Sequence, residues 1–453
     1  MNQLFGTDGI RGIANRYPLD CETAIVAGRA IAAHFSQNKN ASGRFLIGRD
    51  TRISGSMLAS ALAAGICSMG NDVHLAGVIP TPAVAYLAAN HGFDAGIVIS
   101  ASHNPFTDNG IKLFGGDGFK LSDAAESSIE KLIGDPQALA RQSQAVQQVG
   151  RISVFDGAAS CYCQFLENVI SDGHAKPFDG TTLVIDGSNG AASEIASALF
   201  RSLGATVKSI SCTPDGININ DNCGSQHPQA LARAVVDEKA DAGLAFDGDA
   251  DRLIAVDETG TVLSGDQVMA ICARDMLSRG ELNSAKVVTT VMSNIGLGVA
   301  LAAMGIEHLK SQVGDRYVME EMRKAGAVLG GEDSGHMIFL NHHTTGDGML
   351  AALKLLETMR SAGRPLSELA TIMTVFPQCL INVDVQSKPK IDTVHAIMQA
   401  IENVETQLGK RGRVLVRYSG TQPKCRVMVE GPSEKETNAF CQEIASVVAE
   451  ELG

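Results

Sequence analysis

The chain has 453 residues, 45% hydrophobic and 19% charged, with 37 basic against 50 acidic side chains and a formal net charge of −13. That length exceeds one ordinary core and predicts roughly three or four domains of about 100 to 150 residues. The acidic balance argues against nucleic acid or an anionic membrane as the main partner, so an anionic ligand needs a local basic cluster.

The opening MNQLFGTDGIRG has no basic segment followed by an apolar run, and nowhere do about 18 uncharged apolar residues follow one another. The ten cysteines are scattered without C-x-x-C spacing, which points to reduced thiols in a cytoplasmic protein. FGTDGIRG, from Phe5 to Gly12, sets glycines on either side of Arg11. A tight turn there would expose a guanidinium whose planar fork suits phosphate oxygens.

Three later segments repeat one pattern: FLIGRDTRISGSMLASALAAGI from Phe45, LVIDGSNGAASEIASALFRSLG from Leu183 and KVVTTVMSNIGLGVALAAMG from Lys286. Each opens as an apolar strand, offers Gly, Ser or Asn where a helix begins, and then spaces Ala and Leu at helical period. Downstream of each, a further strand runs into a polar loop: ISASHNP after Ile97 to Ile99, DGDADR after Leu244 to Phe246, and GEDSGH after Val328 and Leu329. Three successive α/β domains with mixed sheets are predicted, presenting these loops from equivalent positions. Such loops lie beyond the carboxyl ends of strands, where ligands of α/β sheets bind.

Breaks at Gln142–Gly150, Asp257–Gly260 and Ala362–Pro365 divide the chain into domains at 1–150, 151–257, 258–368 and 369–453. The last reads as a smaller α+β domain, with alternating strands, a helix around Ile391–Leu408 and the hairpin GRVLVRYSGTQPKCRVMVEG.

In DGDADR, Asp247, Asp249 and Asp251 alternate, and an extended backbone would turn all three carboxylates to one side, where their repulsion calls for a cation. Hard oxygen ligands select Mg²⁺ or Ca²⁺, and Arg252 suits an anion beside the metal. An EF-hand is excluded by Arg252 at the position of its glycine, and a D-x-D-x-[TV] phosphatase by Asp251. A metal would let Ser102 serve as nucleophile or phosphate carrier, beside His103 and with Lys112 as base or charge partner. In GEDSGH, Glu332, Ser334 and His336 can grip sugar hydroxyls, while RYSGTQPKCR offers Arg417, Ser419, Gly420, Thr421 and Arg426 as a phosphate nest.

In this order FGTDGIRG, SASHNP, NGIK, DGDADR, VGDRYV, GEDSGH and RYSGTQP resemble the α-D-phosphohexomutase family over nearly the whole chain. The resemblance implies four domains around a central cleft, a phosphoserine at Ser102, and Mg²⁺ held by Asp247, Asp249, Asp251 and the serine phosphate. It further implies that Arg11 and Lys112 flank the phosphoryl group, that Glu332 and Ser334 hold the sugar, and that the Arg417–Arg426 loop holds the other phosphate. Within the family, VGDRYV, TTGDG from Thr344, FPQCLINV and RVMVEG are most similar to bacterial members acting on amino-sugar phosphates. That implies interconversion of glucosamine 6-phosphate and glucosamine 1-phosphate through a 1,6-bisphosphate, which also serves as activator, in a homodimer. The chain departs from the family's usual residues at Ala250 (Gly), Asp333 (often Gln) and Gln422 (Glu). A hexose-specific mutase of the same family and a metal-dependent sugar phosphatase are the competing activities.

Overall fold

The computed structural model describes residues 4–6, 8–36, 42–141, 148–170, 175–419 and 423–453; the break expected at Gln142–Gly150 falls largely outside them. The three repeated segments fold as three sheets wired alike. The first comprises β1 (Phe5–Gly6), β2 (Gly9–Ile13), β3 (Arg44–Arg49), β4 (Asp72–Val78), β5 (Ala95–Ile99), β6 (Asp108–Gly115) and β7 (Ile152–Val154), in the order β1-β2-β6-β5-β3-β4-β7. The second comprises β8 (Thr182–Asp186), β9 (Thr206–Ile210), β10 (Ala242–Phe246), β11 (Leu253–Asp257) and β12 (Val262–Leu263), in the order β12-β11-β10-β8-β9. The third comprises β13 (Lys286–Thr290), β14 (Glu307–Ser311), β15 (Leu329–Gly331) and β16 (Met337–Phe339), in the order β14-β13-β15-β16.

In every sheet the leading strand of the repeat, β3, β8 or β13, lies between two parallel partners. The second of those partners, β5, β10 or β15, turns back into an antiparallel neighbour, β6, β11 or β16. Parallel strands need long crossovers, whereas antiparallel neighbours accept short links. The polar loops are those short links, and all three leave the carboxyl end of a buried apolar strand. The Asp257–Gly260 turn, expected between domains, lies inside the second sheet: Gly260 N donates to Asp257 O at 2.9 Å and β12 pairs with β11, beyond the boundary placed at 257.

The chain divides into two compact units, Met1–Val291 with Glu307–Thr371 and Met292–Ile306 with Ile372–Gly453. The first contains the three sheets. The second contains β17 (Gln378–Asp384), β18 (Arg413–Tyr418) and β19 (Lys424–Glu430), antiparallel in the order β17-β19-β18. Helices His395–Leu408 and Glu434–Leu452 cover that sheet through Val404, Leu408, Val427, Val429, Ile444 and Val448. The helix Ile295–Ala303, which periodicity assigns to the third repeat, belongs to this second unit. Ile295 N donates to Glu430 Oε2 at 3.0 Å, Asn294 Nδ2 to Phe376 O at 2.9 Å and Arg413 Nη2 to Ser293 O at 2.5 Å. Periodicity reveals a helix, not the sheet it covers.

Helix Gly348–Ala362 is set against the DGDADR loop by Gly348 N donating to Ala250 O at 3.0 Å. Its cap Asp347 is fully buried and accepts from Met349 N and Leu350 N at 3.0 Å each and from the Tyr162 hydroxyl at 2.7 Å. Burial pushes its carboxyl up to about 6, despite those hydrogen bonds. A carboxyl that ionises near 3.9 unfolded and higher when folded favours the fold most below the unfolded value. That contribution is lost as pH rises from about 4 to about 6, on the order of 2–3 kcal/mol in all. Asp347→Asn keeps an oxygen acceptor for the cap without this titration. Thermal melting at pH 4 and pH 7 should therefore show the variant gaining on wild type at the higher pH; an equal difference at both would contradict the assignment.

Candidate active site

Beyond β5 the chain turns sharply, and Ser102 takes a left-handed backbone with φ 52° while only 1% exposed. Ser102 N donates to Ser100 Oγ at 2.9 Å, and Ser100 Oγ donates to Asp50 Oδ2 at 2.6 Å, a buried relay that fixes the turn. Ser102 Oγ donates to Asp247 Oδ2 at 2.5 Å and lies 3.4 Å from His103 Nδ1. Burial, reinforced by Arg252, pushes the His103 imidazole down to about 4, so it is neutral at pH 7.

The DGDADR segment is not extended, as its alternation predicts. Ala250 N donates to Asp247 O at 3.0 Å and Ala250 has φ 57°, so a tight turn gathers the three carboxylates. Each offers an oxygen within 4.8 Å of the others, and all three residues are buried. A Cβ on Gly248 would stand 2.6 Å from Ser102 O and 2.9 Å from Asn220 Nδ2, so glycine is what lets the serine and aspartate loops touch. Thr81 Oγ1 ties the loop further by donating to Asp249 Oδ2 at 2.6 Å.

Lys112, on β6 opposite Val98 of β5, answers part of this negative charge. Its Nζ lies 2.9 Å from Asp249 Oδ2, 3.3 Å from Asp8 Oδ2 and 3.5 Å from Asp251 Oδ2. Burial disfavours its ammonium, but Asp249, Asp8 and Asp251 together hold it above the ordinary lysine range, so it stays protonated. Arg11, expected on a turn, lies in β2 opposite Gly110 of β6 and therefore shares a sheet face with Lys112.

Asp8, which did not figure among the candidates, contacts both Arg11 and Lys112 and also Lys120, whose Nζ is 2.6 Å from Asp8 Oδ1 and 2.5 Å from Asp315 Oδ2. Against the effect of burial, Lys112, Lys120 and Arg11 hold its carboxyl well below the usual range. The signal was present: Asp8 stands inside FGTDGIRG and Asp315 inside VGDRYV.

The trio's charge is unevenly balanced. Asp251 is held well below the usual carboxylate range, burial opposing, by Lys112 and His336. Asp247 is pushed well above it by burial and by Asp251 and Asp249. Asp249 Oδ1 and Asp251 Oδ1 are buried acceptors without a hydrogen-bond partner among the described residues. Clustered carboxylate oxygens with open lone pairs fit a hard divalent cation such as Mg²⁺ or Ca²⁺. Arg252 adds a guanidinium at the rim, its Nε 3.7 Å from Asp251 Oδ1 and 3.9 Å from Asp247 Oδ2.

The GEDSGH loop reaches the same place. Leu253 N donates to Gly335 O at 3.0 Å, and Gly335, at φ 93°, brings its backbone so close that a Cβ would meet Leu253 O at 2.1 Å. Glu332 Oε1 accepts from Gly314 N at 3.1 Å, while Ser334 Oγ is buried without a partner among the described residues. His336, expected to reach a sugar, is 3% exposed with Nδ1 3.6 Å from Asp251 Oδ2 and Nε2 3.6 Å from Asp315 Oδ2. Both nitrogens face carboxylates, and Nε2 has no hydrogen-bond partner among the described residues.

In the second unit, Arg417 on β18 stands directly opposite Arg426 on β19. Like charges across an antiparallel pair are unfavourable; burial, then Arg426, lowers the Arg417 guanidinium below its ordinary value, and Arg426 Nε is buried without a partner among the described residues. The buried Ser419 offers its carbonyl to Lys388 Nζ at 2.8 Å. Gly420 and Thr421 lie outside the described residues. An anion is the partner this arginine pair calls for.

The chain matches the phosphoglucomutase/phosphomannomutase family throughout: alpha/beta/alpha domain I over residues 2–139, domain II over 160–260, domain III over 264–376 and the C-terminal domain over 380–447. It is 54% identical over 456 residues to the phosphoglucosamine mutase of Syntrophus aciditrophicus (strain SB), covering 100% of both chains. Its fold is similar to the crystal structure of a phosphoglucomutase/phosphomannomutase family protein from Burkholderia thailandensis, at 25% identity with a TM-score of 0.81 over 99% of this chain and 98% of that one. It is also similar to Aspergillus fumigatus N-acetylphosphoglucosamine mutase, solved with GlcNAc-6P and magnesium, at 18% identity with a TM-score of 0.66 over 99% and 95%. The chain belongs to the phosphoglucomutase/phosphomannomutase family, the α-D-phosphohexomutases.

Two substitutions in the aspartate loop should behave oppositely. Gly248→Ala drives a methyl into the Ser102 carbonyl and should lower turnover by about 100-fold, the scale of a 1 Å misplacement. Ala250→Gly relieves a left-handed non-glycine residue and should leave turnover within about twofold and stability within about 1 kcal/mol. Steady-state kinetics and thermal melting of both variants check this.

Proposed function

We propose that this chain interconverts glucosamine 6-phosphate and glucosamine 1-phosphate, with Ser102 carrying the phosphoryl group between turnovers. The observation that carries this reading is the Ser102 hydroxyl set 2.5 Å from a buried aspartate trio that also contacts Lys112. Its substrate rests on the full-length similarity to a phosphoglucosamine mutase. A hydroxyl of the bound sugar phosphate attacks the phosphorus on Ser102; the new P–O bond forms as the bond to Oγ breaks, leaving a 1,6-bisphosphate. The bisphosphate then turns over and returns its other phosphoryl group to Oγ.

Phosphoryl transfer is mainly positioning and charge neutralisation, and the residues divide that work. Lys112, beside Asp249, Asp8 and Asp251, serves the phosphoryl group as base or as charge partner. His103, neutral with Nδ1 beside the leaving Oγ, can relay the proton of the attacking hydroxyl to Oγ as its bond to phosphorus breaks. Arg11 and Arg252 supply further positive charge, Glu332 and Ser334 hold the sugar hydroxyls, and Arg417, Ser419, Gly420, Thr421 and Arg426 bind a phosphate. Asp247, Asp249 and Asp251 would hold one Mg²⁺, which supplies charge neutralisation at the phosphoryl oxygens. A hexose 1,6-bisphosphate recharges Ser102 when its phosphate is lost to water. The ten cysteines are free thiols, and among the described residues no helix is long and apolar enough to cross a membrane; both fit an enzyme acting in the cytoplasm.

Ser102→Ala should abolish turnover and remove the single phosphate seen by intact-mass measurement after incubation with a hexose 1,6-bisphosphate. Wild-type turnover should be greatest with glucosamine phosphates in a panel that includes the glucose and mannose analogues. Sustained mutase activity in the alanine variant, or release of inorganic phosphate as the main product, would sink the proposal. Arg417→Ala should raise KM by about 10-fold or more, the loss of a charge-assisted contact, with kcat far less changed.

A further inference from the structure

Arg52 is a fully buried arginine to which the chemistry above gives no task. A guanidinium has five N–H donors, and in Arg52 all five are used. Nε donates to Asp50 Oδ2 at 2.8 Å; Nη1 donates to Asp108 O at 3.0 Å and to Pro105 O; Nη2 donates to Ser102 O at 3.0 Å and Asn104 O at 2.8 Å. Four of the five acceptors are backbone carbonyls of the segment that begins with Ser102.

Asn220, from the chain that follows β9, reaches two of the same atoms: its Nδ2 donates to Ser102 O and to Asn104 O at 2.9 Å each. The two carbonyls that bracket His103 thus receive two hydrogen bonds apiece, one from the segment after β3 and one from the segment after β9, which fills both lone pairs of each. Asn220 is itself held in a left-handed conformation, φ 59°, with its N–H donating to Ser188 O at 2.9 Å.

The grip falls on the loop that most needs it. A left-handed backbone is unfavourable for serine, so Ser102 needs outside contacts to keep its Oγ beside Asp247. We propose that Arg52 and Asn220 are positioning residues that clamp the Ser102–Asn104 carbonyls and so fix the serine oxygen for phosphoryl transfer. The inference rests on the reading of Ser102 as the phosphoryl carrier. Lysine cannot replace Arg52, because an ammonium is a point charge with three donors and lacks the planar fork.

The test uses Asn220→Gly, which removes the amide while accepting the left-handed backbone, and Arg52→Lys, which keeps the charge and loses the fork. Each protein is charged with a hexose 1,6-bisphosphate, assayed with glucosamine 6-phosphate, and examined by ³¹P NMR for the phosphoserine resonance. Expected is a fall in kcat of about 10-fold for Asn220→Gly and about 100-fold for Arg52→Lys, with KM within about twofold and a shifted or broadened phosphoserine signal. A merely structural role would instead lower the melting temperature and leave kcat of the folded enzyme unchanged. If Arg52→Lys does not fold, Asn220→Gly decides alone. A kcat within twofold of wild type, a loss confined to KM, or an unmoved ³¹P signal overturns the clamp. Wild-type enzyme inactive on every sugar phosphate would instead overturn the proposed function, a separate result.

Discussion

Three carboxylates drawn within 4.8 Å of one another in a buried loop set the terms for everything around them. Two unit charges 4 Å apart repel by on the order of 4 kcal/mol at an effective dielectric of 20, and a trio contains three such pairs. The surrounding residues relieve two members of the set: Lys112 lies beside Asp249 and Asp251, and His336 beside Asp251. Asp247 meets the Arg252 guanidinium at 3.9 Å, the Arg252 backbone N–H at 3.2 Å and the Ser102 hydroxyl. The remaining imbalance therefore lies next to the Ser102 hydroxyl.

That imbalance is assembled from distant parts of the chain because the three sheets are wired alike. In each, a parallel core strand turns into an antiparallel neighbour, and the link carries the polar residues. Backbone bonds between links then align them: Thr81 N donates to Asp249 O at 2.9 Å and Leu253 N to Gly335 O at 3.0 Å. The loops are stitched through their peptides, so the side chains remain available to a ligand. Glycine at 248 and 335 is what such close backbone approach demands.

Features made within one short run were legible in the sequence. An apolar strand followed at once by SASHNP, DGDADR or GEDSGH is a local signal, and so was the placement of the aspartates after β10. What was not legible depends on contacts whose partners are far apart in the chain. Asp8 meets Lys112 and Lys120; Arg52 meets carbonyls about 50 residues away; Asn220 meets the Ser102 loop from another sheet. Alternation also misled in one place, since the aspartates converge through a turn with Ala250 at positive φ, not through an extended strand. Arg11 shows the same limit, because flanking glycines resemble a turn when the residue itself is paired in β2. The helix Ile295–Ala303 was found, but its place in the second unit is fixed by Glu430, Phe376 and Arg413, all remote in sequence.

The two compact units carry opposite electrostatic liabilities. In the first, acidic side chains crowd together with open lone pairs, and in the second Arg417 and Arg426 face each other across a strand pair, a buried N–H having no partner among the described residues. Neither arrangement is what stability alone would select, since like charges opposed in a sheet and unpaired buried polar atoms both oppose folding. Under the proposed function each liability is cancelled by a ligand, a divalent cation for the carboxylates and a phosphate for the arginines. Anything that binds the folded state and not the unfolded one stabilises it by mass action. On that reading, the stability given up at these two places is returned when a metal and a phosphate bind.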